Sequence, residues 1–114
     1  MMRSAALLVL LFAAWPQSAS AQQAGTGDGL DETQKLGRQV FAQSCGVCHL
    51  PPAINARTFG PLLTKDTAGG NDEVIRGVIS DGTPRMPGFK HYLKGAEVDA
   101  IIAYLKTVPA TATR

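Results

Sequence analysis

Three stretches of the chain carry apolar residues at helical spacing, and no stretch alternates apolar and polar residues as a half-buried strand would. The first begins at Asp31 and places Leu36, Gly37, Val40 and Phe41 on one face. A glycine inside a helix costs about 1 kcal/mol relative to alanine. Gly37 therefore indicates either a close approach by another backbone or a solvent-facing position.

The second predicted helix follows Asn71, a residue type that caps helix N-termini, and Gly82 is expected to close it in the left-handed αL conformation. Its apolar stripe consists of Val74, Ile75, Val78 and Ile79. The third predicted helix covers about Gly95 to Thr107 and ends before Pro109. Its inward residues are Val98, Ile101, Ile102 and Leu105, with Tyr104 beside them.

Two long loops separate these helices, Leu50 to Gly70 and Gly82 to Lys94. Loops of such length are uncommon in a compact domain and are usually functional or wrapped around another group. The pattern predicts an all-α fold of three main helices whose loops surround a large ligand. A core of about 80 residues is also marginal without a staple, a metal or a cofactor.

The N-terminal residues have the features of an export signal. Arg3 precedes an apolar run from Ala5 to Ala14, and Ala19-Ser20-Ala21 supplies the small residues that a signal peptidase recognises. A run of this length is too short to cross a bilayer core of about 30 Å as a helix. We expect a signal peptide over residues 1–21, cleavage before Gln22, a periplasmic location and no membrane insertion afterwards. An uncleaved N-terminal anchor is the alternative.

The remaining chain divides into a disordered segment at 22–30, one folded domain at 31–109 and a short tail at 110–114. The formal net charge is only +2, and removal of Arg3 with the signal lowers it further. Because no basic cluster is interleaved with aromatic residues, we expect no binding to nucleic acid.

Candidate chemistry is concentrated in Cys45-Gly46-Val47-Cys48-His49. Cys-x-x-Cys-His is the attachment motif of c-type haem. Two thiols three residues apart at a helix end can reach the two vinyl groups of one haem, and the adjacent histidine is then held over the iron. The motif predicts one haem c, attached through Cys45 and Cys48, with His49 as an iron ligand.

Three other interpretations of the two cysteines are weaker. A thioredoxin-like pair would require a βαβ setting, and this chain has no predicted strands. A zinc site would need four ligands, which Cys45, Cys48, His49 and His91 could supply only with an unfamiliar spacing. A disulfide across so short a loop would add little stability.

Two residues could provide the sixth ligand to iron. Met86 lies between Pro84 and Pro87 in a stiff loop, and it is the only methionine left once the signal is removed. A thioether is an established axial ligand in cytochromes c. His91 is the alternative, and it would lower the reduction potential. A third possibility is a five-coordinate iron that binds external ligands.

Over residues 37–105 these motifs resemble class I cytochromes c in their small bacterial monohaem form. Gly60-Pro61-Leu62 is similar to the family's first loop, and Met86-Pro87-Gly88-Phe89 is similar to its distal-ligand loop. The resemblance implies that the Pro61 carbonyl accepts a hydrogen bond from His49. It also implies that the terminal helices cross at Gly37. Lys94 departs from the family pattern because it replaces the usual Ser or Thr cap three residues before Glu97.

The function implied is one-electron transfer by a periplasmic, monomeric carrier that is not itself an enzyme. Its partners would be a dehydrogenase or quinol-oxidising complex and a terminal oxidase or reductase. The alternatives are a gas sensor or redox enzyme with an open iron site, and an electron-entry subunit of a larger dehydrogenase complex. The cations near Met86 fit a solvated face at least as well as a docking patch. They are Arg85, Lys90 and Lys94. The expected apolar shell of the haem is Phe41, Leu62, Ile75, Ile79, Phe89 and Ile101.

Overall fold

The computed structural model describes residues 27–110, apart from positions 53 and 55. The α-helices in chain order are α1 (Glu32–Ser44), α2 (Gly46–His49), α3 (Asp72–Asp81) and α4 (Gly95–Leu105). A 3₁₀ turn, Thr67–Gly70, precedes α3. In this part of the chain, β structure is limited to an isolated bridge between Thr83 and Met86. The predicted all-α fold is therefore confirmed.

Helix α1 begins with a reciprocal cap. The Asp31 carboxylate accepts a hydrogen bond from the Gln34 backbone N–H at 2.8 Å, and the Gln34 side chain accepts one from the Asp31 N–H at 3.0 Å. These two bonds satisfy donors that the first turn of a helix leaves without partners. The predicted start of the first helix is therefore confirmed.

Helix α3 starts where Asn71 predicted it, because the Asn71 side chain accepts hydrogen bonds from the backbone N–H groups of Glu73 and Val74 at 3.1 and 3.2 Å. Its C-terminal end differs from the prediction. Gly82 has φ 77° and ψ −169°, which is an extended conformation with positive φ rather than αL. Only glycine adopts this region readily. The chain therefore leaves α3 with an extended backbone at Gly82, and the turn that carries Met86 follows.

Helix α4 retains half of a capping box. The Lys94 backbone N–H donates to the Glu97 carboxylate at 2.7 Å, and a lysine ammonium has no lone pair with which to return a cap. The helix ends at Leu105, two residues before the predicted end at Thr107. The Thr107 hydroxyl donates to the Tyr104 carbonyl at 2.7 Å, which satisfies one carbonyl of the final turn.

The core forms where α1 crosses α4 and α3 packs beside them. Its buried side chains are Val40, Phe41, Cys45, Ile75, Ile79, Val98, Ile101, Ile102 and Leu105. At the crossing, a Cβ atom on Gly37 would overlap the Ala100 carbonyl and lie 2.9 Å from Tyr104 Cβ. The close-approach explanation for Gly37 is therefore confirmed, and its solvent-facing alternative is wrong.

Two residues of the predicted apolar stripes are exposed. Leu36 is 43% exposed and Val74 is 49% exposed. Successive helical residues are rotated by about 100°. The contact face of α1 is centred between Gly37 and Phe41, and that of α3 is centred between Ile75 and Ile79. Leu36 and Val74 therefore lie at the edges of these faces.

Residues 1–26, which include the predicted signal peptide, lie outside the described part of the chain, as do 111–114. Of the predicted 22–30 segment, residues 27–30 are described, and Asp28 forms an ion pair with Arg38 at 2.7 Å. No helix between residues 27 and 110 combines the length and hydropathy required to cross a bilayer.

The crossing of α1 and α4 gives a first prediction. We expect Gly37→Ala to lower the free energy of unfolding by about 1–3 kcal/mol, because the added methyl group must push the two helices apart. Denaturant unfolding of the haem-loaded protein measures the change. Gly77→Ala is the matched control, since nothing lies within 4 Å of its added Cβ. It should stabilise α3 by about 0.5–1 kcal/mol. An equal loss of unfolding free energy in both variants would contradict the close approach of α1 and α4 at Gly37.

Candidate cofactor site

The Cys-x-x-Cys-His motif forms a turn of helix at the end of α1. The Cys45 backbone N–H donates to the Phe41 carbonyl at 2.8 Å, which ends α1, and its own carbonyl accepts from the His49 N–H at 3.0 Å, within α2. One residue thus joins the two helices. The side chains of Cys45, Cys48 and His49 all line the same cavity.

The His49 ring is buried and fixed by a loop that is distant in sequence. Its Nδ1 lies 2.7 Å from the Pro61 carbonyl oxygen. Because a carbonyl oxygen can only accept, Nδ1 carries the proton, and in the neutral imidazole Nε2 then keeps its lone pair. A backbone bond of 2.8 Å from Gly60 N–H to the Cys48 carbonyl holds this loop against α2.

Gly60 also leaves the space that the ring occupies. A Cβ atom at this position would lie 2.7 Å from His49 Cε1 and 2.9 Å from Nδ1. A side chain at position 60 would therefore displace either the imidazole or the loop that orients it.

Met86 lies on the wall of the cavity in a tight turn after α3. Thr83 and Met86 exchange backbone hydrogen bonds of 2.8 and 3.2 Å, and the Phe89 N–H returns to the Ile79 carbonyl at 2.8 Å. Gly82 and Gly88 both lack the Cβ atoms that would collide with this folded-back chain. His91, the alternative ligand, is exposed and does not line the cavity.

The cavity has a volume of about 360 Å³ and a mostly apolar wall. The apolar side chains on this wall are Phe41, Phe59, Pro61, Leu63, Ala68, Ile75, Val78, Ile79, Met86, Pro87, Ile101 and Leu105. Four of the six predicted shell residues are among them. Leu63 rather than Leu62 faces the cavity, and Phe89 packs against the core because its N–H is bound to Ile79 at the end of α3.

Phe41 links the cavity to the helix crossing. Its ring centroid lies 5.7 Å from that of Tyr104 on α4 and 6.5 Å from that of His49. These separations are typical of packed aromatic pairs. The position of the imidazole is therefore tied both to the Pro61 loop and to the crossing of α1 and α4.

The Cys45 thiol does not have the property expected of a reactive cysteine. Burial, with a smaller contribution from the charge of Cys48, raises the pKa of the Cys45 thiol to about 11. Reactive cysteines have lowered pKa values. Both thiols are free in this structure. Over the described residues, no group of three or more His, Cys, Asp or Glu side chains is arranged to hold a metal ion, which disfavours zinc.

The residues on the wall fit a covalently attached haem. The thiols of Cys45 and Cys48 lie on the cavity wall beside the buried His49 imidazole, whose Nε2 is available to bind a metal. A thioether is contributed by a separate loop. The apolar wall suits a porphyrin, and covalent attachment suits a domain with so small a core.

Several wall residues were missed in the sequence. Gly60 had a signal, because a glycine before Pro61 in a long loop suggests a close backbone contact. Phe59, Thr67 and Ala68 had none, because their positions depend on how an irregular loop folds over the cavity. Arg85 was noted as a surface cation, yet it lines the cavity with its Cζ 5.8 Å from the Phe59 ring centroid.

The chain is similar to a known protein family and to a part of a solved structure. The family model described as cytochrome c oxidase, cbb3-type, subunit III matches residues 32–105. A solved structure, dihydro-heme d1 dehydrogenase NirN in complex with DHE, is 31% identical over 66% of this chain, with a TM-score of 0.53. The chain spans only 16% of that protein's length, so the likeness concerns one part of a longer molecule.

The family match covers α1 to α4 and therefore includes the haem-attachment motif, the Pro61 loop and the Met86 turn. The helical fold and the cavity agree with it. A cytochrome c domain implies covalently bound haem c and electron transfer through it. The chain belongs to the cytochrome c family whose model is described as cytochrome c oxidase, cbb3-type, subunit III.

Proposed function

We propose that this protein is a periplasmic electron carrier that uses one haem c with His49 and Met86 as axial ligands. It would take electrons from a dehydrogenase or quinol-oxidising complex and pass them to a terminal oxidase or reductase. The proposal is carried by one observation: the buried His49 ring, fixed at Nδ1 by Pro61, lines the same apolar cavity as both thiols and Met86.

His49 would hold the iron from one side in a fixed orientation. The hydrogen bond from Nδ1–H to the Pro61 carbonyl, 2.7 Å long, directs the lone pair of Nε2 away from the loop and increases the basicity of the ring. Because the ring is also packed near Phe41, its orientation does not depend on the iron alone. A preset ligand reduces the rearrangement that accompanies a change in oxidation state.

Met86 would supply a second iron ligand from a separate loop. A thioether favours the ferrous state more than a second imidazole does, so methionine raises the reduction potential relative to bis-histidine ligation. The backbone pair between Thr83 and Met86 restricts the turn that carries this side chain. The exposed position of His91 supports Met86 as the ligand.

The rest of the wall excludes water and leaves a route for electrons. A bound haem supplies the Fe(III)/Fe(II) couple, which gains or loses one electron. Ile75, Ile79 and Ile101 surround the site with apolar groups. Val47, between the two cysteines, is 88% exposed, so a partner can approach the attachment motif directly.

The composition of the wall supports a carrier rather than an enzyme. The cavity is lined by no Asp, Glu, Lys or Tyr side chain from the described residues. General acid–base chemistry requires a titratable group within hydrogen-bond reach of the substrate. The titratable side chains on this wall are those of Cys45, Cys48, His49 and Arg85. Attachment to haem would use both thiols and the iron would use His49, and the Arg85 guanidinium has no acceptor atom with which to take up a proton.

A periplasmic location is supported by two observations. Arg3, the apolar run and Ala19-Ser20-Ala21 have the order of an export signal. Cytochrome c domains are also typically exported or associated with membranes, in agreement with this signal.

A second candidate function is an electron-transfer subunit of a larger complex. The matched family is described as a subunit of an oxidase, and the solved relative is a dehydrogenase several times longer than this chain. In that arrangement His49 and Met86 keep the same roles, and the donor or acceptor is a fixed neighbour. Copurification with a large redox enzyme after expression in the native host would favour it over a free carrier.

The axial ligands give a second prediction. We expect the haem-loaded wild-type protein to be low-spin, to show the thioether-to-ferric charge-transfer band and to bind carbon monoxide poorly. Met86→Ala should lose the band and bind carbon monoxide, because the sixth position becomes open. His91→Ala is the matched control and should retain the wild-type spectra. Absorption spectroscopy of both oxidation states measures these outcomes.

Two results would contradict this assignment. Loss of the spectral features in His91→Ala, with no effect of Met86→Ala, would identify histidine as the second ligand. A high-spin wild-type protein that binds carbon monoxide would favour a gas sensor or an enzyme with an open iron site.

The Gly60 contact gives a third prediction. We expect Gly60→Ala to raise the reduction potential by tens of millivolts, roughly, because it weakens the Nδ1–H bond to Pro61 and lowers the basicity of His49. Spectroelectrochemical titration measures the potential. Gly46→Ala is the matched control, since its Cβ would meet the flexible Leu50 side chain at 3.1 Å and not the imidazole. An unchanged potential in Gly60→Ala would refute the role of this contact.

A further inference from the structure

Arg85 and Phe59 meet at the rim of the cavity from two different loops. The Arg85 guanidinium carbon lies 5.8 Å from the centroid of the Phe59 ring, within the range of a cation–π contact. Both residues also line the cavity. Phe59 immediately precedes the Gly60-Pro61 pair that orients His49, and Arg85 immediately precedes Met86. The contact therefore connects the loop that orients His49 with the loop that carries Met86, the two proposed iron ligands.

Each loop is anchored at its own base. Gly60 is bonded to the Cys48 carbonyl, and Pro61 accepts from His49, so the Phe59 loop is held to α2. The Met86 turn is held to α3 by the bonds from Phe89 to Ile79 and from Lys90 to Ser80. The Arg85–Phe59 contact is different, because it joins one loop to the other across the rim.

The charges nearby favour this role for Arg85. Lys90, the other cation of the same loop, is paired with Asp81 at 3.1 Å. Among the ion pairs formed by described residues, none includes Arg85. Apart from His49, Arg85 is also the only described residue with an ionisable cationic side chain on the cavity wall. Phe59 is 67% exposed, so its ring is available to a cation at the surface.

We propose that Arg85 and Phe59 are positioning residues that hold the Met86 turn closed over the cavity. The proposal rests on the proposed function only in so far as Met86 is the ligand that the turn presents. We name the pair the rim clasp. A thioether is a weak ligand, so the fraction of time that the turn is open determines how readily an external ligand replaces it.

The strength of an exposed cation–π contact sets the size of the effect. Its loss should increase the open fraction of the turn about two- to fivefold. The apparent affinity for an external ligand should rise by the same factor, because only the open form binds it. Amide hydrogen exchange within the turn should accelerate equally, since exchange also requires opening.

The experiment compares haem-loaded wild-type protein with Arg85→Gln, Phe59→Leu and the double variant. Hydrogen exchange is followed at the Thr83 and Met86 amides, which are bonded to each other's carbonyls. Imidazole is then titrated into the ferric protein and its binding followed by absorption. Phe59→Trp tests rescue, because it preserves an aromatic face. Lys94→Gln and Tyr92→Leu are the controls, as an exposed cation and an exposed aromatic outside the clasp.

We expect each single variant to accelerate exchange and to strengthen imidazole binding about two- to fivefold, with Phe59→Trp and both controls close to wild type. The double variant should match the singles, since either substitution removes the same contact. Wild-type behaviour in both singles would overturn the proposal, and so would a double variant in which the two effects multiply. If the wild-type spectra show no methionine ligation, the proposed function fails, while the exchange rates still decide whether the clasp holds the turn.

Discussion

The fold depends on the contact between α1 and α4 at Gly37. With no side chain at that position, the backbone of α1 lies against the Ala100 carbonyl, and no other residue type permits this approach. The crossing places Phe41 between Tyr104 and the His49 ring. Helix α1 ends at Ser44, and the haem-attachment motif begins at the next residue. The packing of Phe41 against the His49 ring therefore depends on a crossing made possible by one glycine eight residues before Cys45.

The two loops that supply the cavity are stabilised by different means. The Pro61 loop is held by polar contacts to α2, through Gly60 N–H and the His49 ring. The Met86 turn is held by backbone hydrogen bonds to α3. Gly82 and Gly88 have no side chains, so the turn can pack closely against the end of that helix. Because the two anchors are independent, the imidazole and the thioether can be positioned separately. The rim clasp is where the loops meet.

The sequence predicted the helices, the attachment motif and the residue type of each proposed ligand. Local chemistry makes these visible, because caps such as Asp31 and Asn71 mark helix starts and the Cys45–His49 spacing is specific. Helical spacing predicted less reliably which side chains are buried. Leu36 and Val74 fit the apolar stripes, but the contact faces are centred on neighbouring residues. Spacing alone does not fix where one helix touches another.

The parts that the sequence did not predict lie in the irregular loops. Three such features depend on the path of a chain that has no periodicity. They are the presence of Leu63 rather than Leu62 on the cavity wall, the position of Phe89, and the contact between Arg85 and Phe59. The conformation of Gly82 belongs to the same class, since its positive φ was predicted but its extended ψ was not. Such features are set by long-range contacts rather than by neighbouring residues.

The central claim is that Cys45 and Cys48 attach one haem within this cavity. Mass spectrometry of the exported protein under denaturing conditions, followed by peptide mapping, tests it most directly. We predict a mass increase equal to one haem that survives denaturation and maps to the peptide containing Cys45 and Cys48. An unmodified peptide, or one carrying only a disulfide, in protein produced with c-type maturation machinery would contradict the account.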